Sequence, residues 1–199
     1  MFGRPRLHIT GCIVHGYFML FAVSDADCKK SGSTTVEILA LCLEKLVDLG
    51  VDLASHHIAL QLDNAGSQNK NNIVLGFLSC LVQSGILSGA TVNFLRTGHT
   101  HEDIDMVFSL LASWMWKVLL LATVTYFVAS IKTWLQQIKR PHEPHRFVVK
   151  LDQIHDWKTW LGKLGRHIVG LGGPSAPHVF ELVRRNGTRI HDCVCTTSN

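Results

Sequence analysis

No two of the six cysteines, Cys12, Cys28, Cys42, Cys80, Cys193 and Cys195, form a CxxC pair, and no secretory leader precedes them. Most sit in apolar runs, so they read as reduced thiols inside a cell. Internal repeats are absent too, and one packed core with a small appendage is the expectation for a chain of 199 residues. Charge is sparse at 17% against 47% hydrophobic residues, and 19 basic against 15 acidic side chains leave a net +4. That balance permits a nucleic-acid partner, because phosphate neutralisation needs Lys and Arg, but does not demand one. A long uncharged run is missing as well. Lys117 interrupts the apolar stretch from Val107 to Ile131, which Trp114, Trp116 and Trp134 flank. Its unbroken part, Val118 to Ile131, falls short of a ~30 Å hydrocarbon core at ~1.5 Å per residue. A buried helix or helix-strand pair is favoured there over a membrane span.

What is present follows an alternating grammar. Leu7 to Val14 and Tyr17 to Val23 are β-branched or aromatic runs separated by His15-Gly16, which predicts a hairpin. Thr34-Thr35-Val36-Glu37 has capping-box spacing and predicts a helix start, with Ile38, Leu41, Cys42, Lys45 and Leu49 at helical intervals and Gly50 as the stop. A second unit repeats the pattern: a strand over His57 to Leu62, a turn over Asp63 to Ser67, a helix over Asn69 to Gln83 and a strand over Ala90 to Leu95. A further helix is expected behind an N-cap at Thr100, with Ile104, Val107, Phe108, Leu111 and Met115 as its buried stripe. Strands alternating with helices at this spacing predict an α/β fold with parallel pairs. Beyond Arg140 the texture changes to Pro- and Gly-containing loops, a strand-like run over Phe147 to Leu151, a small helix with Trp157 and Trp160, and a hairpin-like pair around Asn186-Gly187. The expected division is a core over 1–138 and a C-terminal α+β extension over 139–199.

Two segments could carry chemistry. In Leu60 to Asn72, Asp63 stands at the carboxyl end of a strand, before a polar turn and a helix, where open α/β sheets place ligands and where a hard cation such as Mg²⁺ or Mn²⁺ finds carboxylate oxygen. The plainer account is an Asx turn in which Asp63 bonds its own backbone. In Phe94 to Asp105, His99, His101, Glu102, Asp103 and Asp105 crowd a strand-to-helix junction. Glu102 and Asp103 also suit the positive end of a helix, whereas Asp105 is expected deeper in it, on the face it shares with His101. A strand-end Asp63 and a helix-borne Asp105 suit a pair of metal ions clamping the attacking and leaving oxygens of a phosphodiester. A third acid is wanted, and Asp25 and Asp27 fall in a loop.

The combination LQLDNAGSQNKNN and FLRTGHTHEDIDMVFS, preceded by RLHITGCIVHG, resembles an uncharacterised domain family encoded by eukaryotic transposon-like genes, itself similar to ribonuclease H-like DDE transposases and integrases. The resemblance is close over Leu7 to Trp116 and loose beyond. It implies a ribonuclease H-like mixed sheet flanked by helices, with Asp63 as the second metal-binding acid and Asp105 as the third. Asn64, Gln68, Asn69, Lys70, His99, His101, Glu102 and Asp103 are the accompanying candidates. It further implies Mg²⁺ or Mn²⁺ in a two-metal arrangement, DNA as partner, and an intracellular, nuclear setting. In that family the first acid lies on a strand ahead of the LHITG-type strand. The expectation is therefore a sheet lacking its first strand, weak metal binding, and either a transposase-derived phosphodiester enzyme or its inactive remnant.

Two other readings stay open. His99-Thr100-His101-Glu102-Asp103 has the HxHxD form of zinc metallohydrolases, although Ile104 stands where a His normally follows. A non-catalytic nucleic-acid-binding module could use the basic residues from Lys139 onward, with Trp157 and Trp160 for base stacking. Such a spread of charge is more often a solvated surface and such a tryptophan pair more often core.

Overall fold

A computed structural model describes residues 7–25, 27–95, 103–117, 124–139, 141–162 and 178–184. The architecture is α/β, with two mixed three-stranded sheets and flanking helices. The chain divides into two units: 1–29 with 101–154, and 30–100 with 155–199.

The first unit opens with the expected hairpin, β1 (Leu7–Val14) antiparallel to β2 (Phe18–Asp25), turning at Gly16 with φ +83°. A positive φ strains any residue with a Cβ, which is why glycine sits there. Strand β5 (His145–Leu151) pairs parallel to β2, giving the order β1-β2-β5. The central position of β2 explains its composition. Every residue from Phe18 to Ser24 is buried, so both faces are apolar and the strand reads as one hydrophobic run. Met19, Phe21 and Val23 point to one face, where Val107 and Leu111 of α3 (Asp103–Met115) and Phe127, Ile131, Trp134 and Leu135 of α4 (Val124–Leu135) complete the core. The apolar stretch around Ile131 is thus a packed helix. No helix among the described residues is long and apolar enough to cross a membrane.

In the second unit β3 (His57–Leu62) and β4 (Gly89–Phe94) run parallel, and β6 (Val179–Val183) closes the other side of β4 antiparallel. Helix α1 (Gly32–Asp48) starts earlier than its sequence suggests. Ser31 is its N-cap and shares a capping box with Thr34, which frees Glu37 from any capping role. Helix α2 (Asn72–Gln83) buries Val74, Leu75, Phe77, Leu78 and Val82, and Asn71 caps it through bonds from the Ile73 and Val74 amides at 3.0 and 3.1 Å. The segment read as an extension supplies β5 to one sheet, and β6 and α5 (Trp157–Gly162) to the other unit. The expected hairpin around Asn186-Gly187 lies outside the described residues.

Candidate functional site

Parallel pairing sends β3 and β4 out at the same sheet edge, with Leu62 opposite Phe94. Asp63 therefore stands at the carboxyl edge of this pair. Its Oδ1 accepts from the Ala65 amide at 3.2 Å, the Asx turn anticipated from sequence, and from Asn69 Nδ2. The Asn69 amide oxygen and the Gln68 carbonyl both lie 2.9 Å from Thr35 Oγ1 on α1, sharing its one proton. The Ala65 carbonyl receives the amides of Gln68, Asn69 and Lys70 at 3.1, 2.7 and 3.1 Å, and Asn71 Nδ2 donates to the Gly66 carbonyl at 3.3 Å. Helix α1 comes so close that a Cβ on Gly32 would stand 2.6 Å from Asn71 Oδ1. This polar loop is held by its own amides, in a region where exposed turns are ordinarily mobile. Asp63 itself is exposed, and its Oδ2 carries no hydrogen bond among the described residues.

Lys70 ends the loop and is the one buried lysine among the described residues, at 6% exposure. Its Nζ lies 5.8 Å from the centroid of the Phe94 ring. No carboxylate or hydrogen-bond partner accompanies it among the described residues, and burial lowers its pKa from the ordinary lysine value. Withdrawing an ammonium from water costs several kcal/mol in real proteins, and a ring face returns roughly 0.5–2 kcal/mol, so the cation is under-compensated. Gln83 Nε2 is the only described side-chain nitrogen or oxygen both sealed from solvent and unpaired, so the Lys70 ammonium is not completely sealed.

Only part of the second segment falls within the described residues. Asp103 opens α3, and Asp105 also lies in its first turn, shallower than sequence reasoning placed it. Both carboxylates thus suit the positive end of the helix, which supplies a structural reason for each. His99, His101 and Glu102 lie outside the described residues, and with them the centre of the HxHxD motif. Asp63 and Asp105 belong to different units. Among the described residues no three His, Cys, Asp or Glu side chains gather in a group able to hold a metal ion. Asn64 and Gln68 are half-buried in the Asp63 loop. Asp25 closes β2 and is part of the strand.

One polar cluster escaped the sequence reading. The Glu37 carboxylate, 9% exposed on α1, accepts from the His155 amide at 3.2 Å, from His155 Nδ1 at 2.9 Å and from Trp157 Nε1 at 2.8 Å. Burial alone pushes the Glu37 carboxyl up, and the bonds from His155 and Trp157 outweigh it, holding the group below the usual glutamate value. Trp157 also packs edge-on against Phe77 at 5.3 Å, so its ring takes part in the fold, whereas Trp160 is half exposed. A charge inside an apolar helical stripe is the sequence signal that marks Glu37.

The family model of a domain of unknown function, DUF7869, matches residues 4–196. The chain belongs to the DUF7869 family. No curated protein and no solved structure matches it. The DUF7869 match takes in the Asp63 loop, the Asp105 segment and the strands contributed from beyond residue 139.

Proposed function

We propose that this DUF7869 chain is a transposase- or integrase-derived domain of ribonuclease H-like type, acting on DNA phosphodiesters in the nucleus with Mg²⁺ or Mn²⁺. The observation that carries the reading is Asp63. It stands at the carboxyl edge of a parallel pair, on a loop fixed by hydrogen bonds, with one carboxylate oxygen committed to that loop and the other open to solvent. Open α/β sheets receive ligands at this edge, and a hard cation prefers such an oxygen. The element order supports the same reading: an antiparallel hairpin, a helix, and then strand-helix-strand-helix.

Metal ions would clamp the attacking and leaving oxygens of the phosphodiester. Among the described residues Asp63 belongs to no group of three His, Cys, Asp or Glu side chains, so the assignment of Asp105 rests on the motif and no bond-breaking step is derived from the geometry. The chain's own contribution is to hold one carboxylate oxygen ready and to fix the loop behind it.

Nicking of supercoiled plasmid in Mn²⁺ by the whole chain tests the proposal. Asp63→Ala and Asp105→Ala are each expected to abolish nicking while the chain still folds, as its circular dichroism spectrum would show. Retained nicking in either variant refutes the assignment. Salt-dependent DNA binding by a wild-type chain that never nicks would identify an inactive remnant.

A further inference from the structure

The edge that presents Asp63 also carries an ammonium that the fold leaves without a counter-charge. Lys70 is held by its backbone bond to Ala65, its stem is covered, and its Nζ rests over the Phe94 ring without being completely sealed. A cation kept in that state gains most from an anion that arrives with the ligand, because only then is its lost hydration replaced by a charge-assisted bond. The start of α2 does not play this part, since Asn71 already occupies the Ile73 and Val74 amides. The same loop carries further donors. The Gly66 and Ser67 amides of the same loop donate no hydrogen bond among the described residues, and a Cβ added at Gly66 would meet nothing within 4 Å. A tetrahedral oxyanion with several acceptor oxygens suits an ammonium accompanied by free amides.

We propose that Lys70 receives a phosphate oxygen at the carboxyl edge of β3 and β4, the Gly66-Ser67 turn supplying additional donors. This deepens the DNA reading and rests on it for the owner of the phosphate, a phosphodiester of the nucleic-acid backbone. A nucleotide or other free phosphate would present the same chemistry.

The test follows the side-chain ammonium resonance of Lys70 in the whole chain labelled with ¹⁵N-lysine, assigned through Lys70→Arg. Inorganic phosphate is titrated against chloride at matched ionic strength, and a short DNA duplex is titrated in parallel. The Lys70 signal is expected to move saturably with the duplex, and Lys70→Met to weaken duplex binding about tenfold at an undiminished unfolding midpoint. Movement with inorganic phosphate alone would keep the oxyanion site and assign it to a free phosphate. A Lys70 signal indifferent to both probes, or wild-type affinity in Lys70→Met, overturns the inference. Failure of the nuclease reading looks different: no nicking by the wild-type chain, with the phosphate response of Lys70 intact. Wild-type nicking with an indifferent Lys70 signal would do the opposite, keeping the nuclease and discarding the phosphate site.

Discussion

At the scale of single residues, the most consequential side chain outside the candidate site is Glu37. It is a buried carboxylate accepting from an imidazole, an indole and a backbone amide, all from the segment that leads into α5. Because its pKa is lowered in the folded state, its contribution is present above the unfolded-state value and is lost as pH falls through the folded one. Glu37→Gln should therefore cost about 1.5–3 kcal/mol at neutral pH, the range of a hydrogen bond to a charged group. The difference from wild type should shrink on the acid side of the ordinary glutamate range. Urea midpoints measured across that range check both statements, and a gap that widens in acid would contradict the sign. The Lys70 shift acts in the same direction with pH but from a different cause, burial disfavouring the charged form. A lysine whose folded pKa is lowered makes the protein gain stability as pH rises through the interval between its folded and unfolded values.

Among the elements, the sheet of the second unit depends on a position where a side chain has no room. Gly89 faces His57 in the β3–β4 register, and a Cβ there would lie 2.6 Å from His57 Nδ1 and 3.2 Å from the Leu182 carbonyl of β6. The His57 ring is exposed and can swing aside, but the β6 backbone cannot retreat without loosening the ladder. Gly89→Val is expected to cost roughly 1–3 kcal/mol, the usual range for overpacking, read as a lowered melting temperature. A variant as stable as wild type would show that β6 yields freely. The elements themselves were legible in sequence, because alternation and helical spacing act locally: β1 and β3 occupy the predicted spans, and Gly50 and Gly85, at φ +84° and +73°, follow the ends of α1 and α2. The candidate Asp63 and its Asx turn were legible for the same reason. What escaped depends on partners remote in the chain. Glu37 looks like a capping carboxylate until Ser31 is seen to take that place, and its true partners lie 118 and 120 residues away. The pairing of β5 with β2 and of β6 with β4 is likewise unreadable from local pattern, since an outer strand in one sheet looks like an outer strand in another.

For the molecule as a whole, neither unit is a continuous piece of chain. Ending the protein at Ile154 would preserve all three strands of one sheet while reducing the other to β3 and β4, and it would strip Glu37 of His155 and Trp157. The truncated chain is expected to lose cooperative unfolding of its second unit and to aggregate, as size-exclusion chromatography and circular dichroism would register. A well-behaved fragment would mean that α5 and β6 are dispensable. The same interlacing bears on β2. Its apolar faces and its parallel ladder wait for β5, which the ribosome delivers more than about 100 residues later, a delay of roughly 5–25 s at ordinary elongation rates. Throughout that interval a nascent hairpin would display one of the most aggregation-prone segments of the chain, making chaperone occupancy during translation a natural companion of this topology.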